Sequence, residues 1–373
     1  MMFHTIITFV YILPNIYVFL RIGQLFINKG YRLYYALIYI ILALVYPYVS
    51  ILSSGYSGLV TDGLMVVASY ILPFYLYLFL SVLLYDIFLL ANLIFAMVPA
   101  EWRRSTRYKT AALSSIVLLS SLVVLAGAIN FRTIRISEYH VDIPRKSAKA
   151  DHLKIAFVAD FHLKHWTDIH FVERFAKEIE LIRPDLIVYG GDIVEGGRED
   201  ENLHQFEKIL KGINSRYGAF GVLGNHESLS RQNKGQFFDL AGITVLSDTF
   251  VVIDDSFTLA GRYDNRYNRR KTIGELMKPI NDTLPVILID HRPTELDEVS
   301  RTAVDLQMSG HTHNGQLFPL NLIIGRMYQL SWGYKKIDHT HFFVTSGIML
   351  WGPPVRTTGK SEIMVINVRF TEK

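Results

Sequence analysis

Long apolar runs fill the first part of the chain, and short apolar runs alternate with polar clusters in the rest. A helix needs about 20 mostly apolar residues to cross the hydrocarbon core of a membrane. Four runs meet that length, at residues 3–20, 33–53, 64–85 and 111–129. The third continues apolar to Val98 but is interrupted by Pro73, Asp86 and Asn92. We interpret it as one kinked span followed by an extension at the membrane interface.

A cleaved signal peptide is the alternative interpretation of residues 3–20. Such a peptide begins with basic residues and ends in small residues at a cleavage site. Here the first basic residue is Arg21, which follows the apolar run. The sequence therefore favours a retained span.

The charges of the connecting loops predict the orientation of the spans, because cytoplasmic loops are rich in Lys and Arg. The loop after the first span and the loop after the third are basic, whereas residues 54–63 contain neither Lys nor Arg. Four spans with both basic loops inside place the C-terminal part outside the cytoplasm. Arg132 and Arg135 point the other way, as would a miscounted third span. The basic loop residues are Arg21, Lys29, Arg32, Arg103, Arg104, Arg107 and Lys109.

The short apolar runs beyond Thr133 are rich in β-branched residues and end in polar residues, which is typical of strands. They lie in KIAFVAD (154–160), LIVYGGD (186–192), AFGVLGNHE (219–227), PVILIDH (285–291) and VDLQMSGHTH (304–313). Amphipathic helices are predicted at about 167–182 and 203–213. This alternation predicts an α/β domain at residues 151–373, after a linker and a first strand in residues 131–150.

The predicted strands end in side chains that bind metal ions. In such sheets the ligands collect beyond the carboxyl ends of the strands, so we expect these side chains to converge. Glycines allow sharp turns just before several of them, as at Gly191, Gly224 and Gly310. The ligand types are carboxylate, imidazole and amide, and there are more of them than one ion can use. A pair of ions about 3.5–4 Å apart, as in two-metal phosphoryl chemistry, is predicted.

Composition narrows the chemistry further. The chain has no cysteine, which excludes disulfides, thiolate ligands and a cysteine nucleophile but leaves the redox compartment open. Any metal must therefore be held by His, Asp, Glu or Asn. The net charge of +4 is small and is spread along the chain, so no nucleic-acid partner is predicted.

The segments DFH, GGD, GNHE, IDH and GHTH, in this order, resemble the five motifs of the calcineurin-like metallophosphoesterases. The resemblance covers roughly residues 150–370 and is strongest to the membrane-linked bacterial branch, through GHTHNGQLFP, VTSGIMLWGPPVR and SEIMVINV. It implies a layered αββα fold and hydrolysis of phosphomonoesters or phosphodiesters by a hydroxide that bridges two divalent ions. The ligand types fit Mn, Fe or Zn and do not choose among them.

The resemblance also implies a role for each motif residue. The metal ligands would be Asp160, His162 and His313 for one ion, Asn225, His291 and His311 for the other, and Asp192 as the bridge. His226 would protonate the leaving oxygen, and Glu195, three positions after the bridging residue, would orient that histidine.

Four further residues are candidates for contacts with the substrate. Arginine binds phosphate well, and Arg262 lies in the segment GRYDNRYNRRK, for which a solvated loop is the alternative. Asn314 replaces the glycine that many members of this branch have after the last motif histidine. The candidates are Arg262, Arg292, Asn314 and Arg356.

The sequence leaves the substrate and the oligomeric state open. Anchoring beside a bilayer suggests lipid-linked phosphates and a role in lipid metabolism, and an outward domain suggests envelope substrates. A domain in the cytosol would instead favour a pyrophosphatase for a sugar-nucleotide lipid precursor, to which the resemblance also points. A metal-binding but inactive sensor or scaffold is the alternative to an enzyme. A transporter is disfavoured, because the spans carry few polar residues.

Overall fold

A computed structural model describes residues 2–55, 59–164, 167–195, 201–228, 235–267 and 269–372. The chain divides into two compact units. The first is Met1–Ile129 together with Gly352–Thr357, and the second is Asn130–Trp351 together with Thr358–Lys373. The six-residue segment Gly352–Thr357 therefore belongs to the helical unit, although the sequence predicts it as part of the α/β domain.

The first unit is helical. Its elements are α1 (Met2–Leu25), a 3₁₀ turn (Lys29–Tyr31), α2 (Arg32–Gly55), α3 (Leu59–Phe95), α4 (Ala100–Arg104) and α5 (Thr106–Arg132). Three described segments are long and apolar enough to cross a membrane, namely Lys29–Val49, Gly63–Phe95 and Thr106–Arg132. The first predicted span coincides with α1, whose N-terminal side chains lie outside the description. A fourth span therefore stays a prediction.

The interrupted third run forms a single helix, α3, with Pro73 inside it. At about 1.5 Å per residue its 37 residues extend about 55 Å, which exceeds the roughly 30 Å of a hydrocarbon core. Asp86 of this helix accepts a hydrogen bond of 2.8 Å from Nε of Arg21 in α1, and the Tyr17 hydroxyl donates to the same carboxylate. The acidic residue of the apolar run is thus paired with a basic residue of another helix.

In its described residues, the second unit combines twelve strands with short helices. The strands are β1 (Ile134–Pro144), β2 (His152–Val158), β3 (Leu186–Tyr189), β4 (Ala219–Gly221), β5 (Ile243–Val245), β6 (Thr249–Ile253), β7 (Phe257–Gly261), β8 (Val286–Ile289), β9 (Leu306–Ser309), β10 (Gly333–Ile337), β11 (Thr340–Val344) and β12 (Ser361–Thr371). The helices are α6 (Ile169–Ile182), α7 (Glu201–Lys211), α8 (Asn225–Ser228), α9 (Gly235–Leu240), α10 (Ile273–Met277), α11 (Leu296–Val299) and α12 (Leu320–Met327).

These strands form two six-stranded sheets, one in the order β1-β12-β2-β3-β4-β5 and the other in the order β10-β11-β9-β8-β7-β6. β2, β3 and β4 are parallel to one another, as are β8 and β9. The five strands predicted from the motif segments are therefore all present, and the mixed α/β class is confirmed.

Alternation along the strands explains how the sheets are covered. In β2, Ala156 and Val158 belong to a core shared with α6 and α7, whereas Ile155 and Phe157 belong to a core shared with strands of the other sheet. Successive side chains of a strand point to opposite faces, so an apolar strand is buried on both sides. A third core lies between the second sheet and helices α10 and α11.

Helix α6, which follows β2, has a capped first turn and a buried apolar face. The Asp168 side chain accepts a hydrogen bond from the main-chain NH of His170, which caps the first turn. Phe171, Phe175 and Ile179 are buried, and their spacing of four places them on one face of the helix. The helix ends at Arg183, whose φ of 50° is left-handed.

Candidate metal centre

The carboxyl ends of β2, β3, β8 and β9 and the loop after β4 deliver the predicted metal ligands. Parallel strands turn their carboxyl ends to the same edge of a sheet, so residues that follow them in sequence meet there. The side chains of Asp160, Asp192 and His291 are almost completely buried. Buried carboxylates and imidazoles need a partner of opposite charge or a metal ion, and this edge of the sheets is where such a partner would bind.

The first ligand group consists of Asp160, His162 and His313, whose ligand atoms lie within 4.8 Å of one another. The Nε2 atoms of the two histidines are 3.1 Å apart, and Nε2 of His313 is 3.7 Å from Oδ1 of Asp160. Nitrogen lone pairs and a carboxylate oxygen that converge in this way suit a divalent cation. These are the residues that the sequence predicts for one ion.

The second group consists of Asp192, His291 and His311, again within 4.8 Å. Nε2 of His291 lies 3.2 Å from Oδ2 of Asp192 and 3.3 Å from Oδ1 of Asn225. Nδ1 of His291 is 2.8 Å from the carbonyl oxygen of Gly190. A ring nitrogen that donates to a carbonyl leaves the other nitrogen free to bind a metal. All predicted ligands of the second ion therefore lie together, next to the predicted bridge.

Burial and the charge of Asp192 act in opposite directions on the histidines of this group. Burial lowers the pKa of His291, but the carboxylate of Asp192 outweighs it and raises that pKa to about 10. Burial, together with the positive charge of His291, lowers the pKa of His311 to about 2. The raised pKa of His291 means that this imidazole binds a proton readily, whereas the lowered pKa of His311 means that its imidazole is neutral. A bound cation would replace the proton of His291.

A third cluster surrounds His226. Its Nδ1 is 3.1 Å from Oε1 of Glu195, and Oε2 of the same carboxylate is 2.8 Å from Nζ of Lys164. His162, His226 and Glu195 also satisfy the distances of a metal site. The ammonium group of Lys164 would repel a cation there, so we interpret this cluster as a hydrogen-bonded support for His226.

The same cluster favours the protonated form of His226. Burial lowers the pKa of this histidine, but the hydrogen bond to Glu195 and the negative charge of Asp192 outweigh burial and raise the pKa above its usual value. Nε2 of His226 lies 4.0 Å from Oδ2 of Asp192. The protonated form of His226 is thus favoured next to the predicted bridging residue.

The backbone at the ligands is strained. Residues other than glycine rarely adopt a positive φ, and each such residue costs of order 1–3 kcal/mol. At the centre, positive φ values occur at Asp160 (61°), His162 (48°), Asp192 (53°), His311 (72°) and His313 (50°). Gly224 relieves the crowding, since a Cβ atom there would lie 2.2 Å from Oδ1 of Asp192. The surrounding fold has to hold these turns in place.

Glu227 holds one of these turns and was not among the residues predicted from the sequence. Its buried carboxylate accepts hydrogen bonds from four main-chain NH groups. They belong to Gly224 (2.8 Å), Asp192 (3.0 Å), Ile193 (2.5 Å) and Val194 (2.9 Å). It joins the loop after β4 to the loop after β3. The available signal was its position as the last letter of GNHE, directly after the predicted acid.

Two of the predicted substrate-binding arginines are engaged within the protein. The guanidinium of Arg262 is buried and donates to Asp290 (3.1 Å) and Glu295 (2.9 Å). Nε of Arg292 donates to Asp264 at 2.6 Å. These contacts favour a structural role for Arg262, because a buried guanidinium with two carboxylate partners has little capacity left for phosphate.

The other two candidates lie in different parts of the chain. Asn314 follows the predicted ligand His313, has a φ of 48°, and its carbonyl oxygen accepts a hydrogen bond of 2.9 Å from Thr358. Arg356 belongs to the helical unit, where its main-chain NH donates to Gly127 at 3.0 Å. Substrate contacts of both residues stay predictions.

Comparisons with known proteins match this chain to metallophosphoesterases. Residues 153–315 match the family described as calcineurin-like phosphoesterase. An Aquifex aeolicus protein named as an uncharacterized metallophosphoesterase is 30% identical over 259 residues, which cover 66% of this chain and 98% of that protein. A Helicobacter pylori protein with the same description is 31% identical over 223 residues, which cover 58% of this chain and 60% of that protein.

A third relative combines the family with a membrane region in its name. It is a Danio rerio protein named as a transmembrane protein with metallophosphoesterase domain, 25% identical over 265 residues, which cover 66% of this chain and 60% of that protein. The chain thus spans less than two thirds of the length of the Helicobacter and Danio relatives. The apolar helices and this name together indicate a membrane protein.

Proposed function

Because the chain belongs to the calcineurin-like phosphoesterase family, we propose that it is a membrane-anchored, metal-dependent hydrolase of phosphoesters. The observation that carries the proposal is the convergence of two ligand groups on one edge of the sheets, with His226 beside Asp192. Each group offers the carboxylate and imidazole ligands that divalent transition metals bind.

The residues fit a pair of divalent ions, Mn, Fe or Zn. Asp160, His162 and His313 would hold one, Asn225, His291 and His311 the other, and Asp192 would lie between them. Such ions, when bound, neutralise phosphoryl oxygens and make water acidic enough to act as a nucleophile near neutral pH. No serine or cysteine nucleophile is then required.

The chain itself supplies the proton for the leaving group. Glu195 and Asp192 favour the protonated form of His226, and its side chain remains 22% exposed, which leaves it accessible to a bound ester. Lys164 holds the far oxygen of Glu195, which fixes the carboxylate that orients the histidine. General acids of this kind contribute about 10²- to 10⁴-fold to a rate.

We further propose four membrane spans with the second unit outside the cytoplasm, and lipid-linked or envelope phosphoesters as substrates. The basic loops support the orientation. Membrane anchoring supports the substrate class, since it concentrates the site near lipid headgroups. A cytosolic location would favour the sugar-nucleotide lipid precursor instead.

The test uses the full chain in detergent, loaded with Mn, Fe or Zn. We expect two ions per chain by elemental analysis and release of nitrophenol from aryl phosphomonoesters or phosphodiesters. His226→Ala should keep its metal content and lose about 10²- to 10⁴-fold in turnover, whereas Asp192→Asn should lose metal, because its carboxylate serves both ions.

Two results would contradict the proposal in different ways. A folded chain that binds metal and stays inert toward a broad panel of phosphoesters would be a metal-binding scaffold. A His226→Ala variant that loses metal together with activity would show that this histidine is a ligand rather than the acid.

A further inference from the structure

An exposed apolar surface begins five residues after His313 on the second unit, which we call the catalytic unit because it holds the predicted metal ligands. It consists of Phe318, Leu320, Leu322, Ile323 and Met327, which are 50%, 37%, 50%, 56% and 68% exposed. We call it the α12 surface. Elsewhere in the described part of this unit, exposed large apolar side chains lie singly along the chain, as at Leu181 and Val252. Clustered apolar exposure of this kind marks a contact surface.

The helical geometry gathers three of these side chains on one side. At 100° per residue, Leu320, Ile323 and Met327 fall within an arc of about 60° on α12, whereas Leu322 lies about 100° beyond Ile323, on the far side of Arg326. The segment from Phe318 to Met327 contains no acidic residue. Its one charge is Arg326, exposed in the last turn. Apolar residues with a basic residue beside them are typical of helices that lie in a membrane interface.

The α12 surface adjoins the turn that carries the predicted ligand His313. His313 lies in the short 3₁₀ turn His313–Gly315, five residues before Phe318. Gly315 has a φ of 70°, and a Cβ atom there would lie 2.5 Å from the backbone of Asn321. This close approach packs the turn His313–Gly315 against α12. A contact that fixes the position of α12 would therefore also fix the position of His313.

The bilayer is the occupant that the rest of the chain favours. The same chain carries three described helices long and apolar enough to cross a membrane, and such helices would tether the second unit to a bilayer. The apolar residues of the α12 surface complement the acyl chains of a bilayer, and Arg326 complements its anionic headgroups. A soluble protein partner would not be held near the α12 surface by the chain itself.

We propose that the α12 surface inserts into the membrane interface and seats the catalytic unit on the bilayer, with the metal centre facing phosphate groups at the headgroup level. The inference rests on membrane anchoring but not on hydrolysis. Its substrate consequence is that the phosphoester would be part of an amphiphile embedded in that bilayer.

The absence of cysteine permits a direct test with single labels. Ile323→Cys and Met327→Cys would each carry an environment-sensitive fluorophore in the full chain, reconstituted in phosphatidylcholine–phosphatidylglycerol nanodiscs. Leu181→Cys, an exposed leucine of α6 in the same unit, is the matched control. Nitroxide-labelled phosphatidylcholine in the disc reports contact with acyl chains.

We expect blue-shifted emission and strong quenching at positions 323 and 327, and little quenching at position 181. Helices of this type lie roughly 5–10 Å below the headgroup level, so quenching should be stronger by shallow than by deep nitroxides and should persist in high salt. Equal quenching at all three positions would overturn the proposal. Disulfide-linked dimers of the unlabelled Ile323→Cys variant, together with no lipid quenching of the labelled one, would also overturn it, in favour of a contact between two copies. Neither outcome depends on enzymatic activity, so failure here leaves the proposed hydrolase untouched.

Discussion

Among single residues, Glu195 has the contacts with the most direct consequence for the reaction. Its hydrogen bond to His226 raises the pKa of that histidine. An acid must be protonated to act, so activity should fall as pH rises through this pKa. Glu195→Gln removes the negative charge and lowers the pKa, and the alkaline fall in activity should therefore move to lower pH.

The measurement is the pH dependence of kcat/KM in the wild-type chain and in Glu195→Gln. Glu173→Gln is the matched control, because Glu173 contacts the exposed His170 by the same kind of hydrogen bond but lies on the surface of α6. An unchanged alkaline limb in Glu195→Gln would mean that His226 is not the titrating acid.

Glu227 should matter for stability rather than for chemistry. Glu227→Gln keeps one acceptor oxygen and replaces the other by an amide NH₂, which faces main-chain NH groups that it cannot satisfy. Each buried donor left unpaired costs about 1–3 kcal/mol. We expect a lower midpoint of denaturant unfolding and weaker metal binding, while Glu180→Gln, on the exposed face of α6, should leave both unchanged. Equal midpoints in the two variants would refute this role.

The sequence predicted where the candidate ligands converge better than it predicted the residues that support them. Asp160 and His311 stand directly after apolar strands, and that position alone predicts the edge of the sheet. The structural role of Arg262 was harder to predict, because its segment GRYDNRYNRRK is largely polar and no neighbouring residue in the sequence indicates an ion pair with Asp290. Glu227 was missed because its partners are main-chain NH groups, which have no signature in a sequence.

Among the elements, α1 and α3 are joined by a pair of charges in an apolar bundle. Removing one member of such a pair leaves the other uncompensated, whereas removing both can be nearly neutral. Asp86→Leu should therefore lower the thermal midpoint of the full chain in detergent more than the double variant Arg21→Met/Asp86→Leu does. A double variant at least as unstable as the single one would show that the pair is not coupled.

Element types were easier to predict than element boundaries and partners. The helix predicted at 203–213 is observed as Glu201–Lys211, because Gly212 ends it. α3 is one helix, as expected from too few residues for two spans. The hairpin of β6 and β7 and the hairpin of β10 and β11 were not predicted, since their short runs gain stability only from the neighbouring strands of the second sheet.

For the whole molecule, the charges of the loops predict the side of the membrane. A reporter that is active only outside the cytoplasm should be active when fused after Lys373 and silent when fused near Arg104. Replacing the basic residues of 103–109 should weaken this preference. The reverse pattern of reporter activity would place the second unit in the cytoplasm and imply an odd number of spans.

The pairing of β1 with β12 has a mechanical consequence. β1 follows α5 directly and lies parallel to β12, from Ile134 opposite Ser361 to Pro144 opposite Thr371. A force that pulls the C-terminus away from an anchored α5 acts on the start of one strand and the end of the other. In this shear geometry the hydrogen bonds along the eleven residues of β1 share the load and must break together, instead of opening one at a time. We therefore expect the β1–β12 pair to resist a force applied between α5 and the C-terminus.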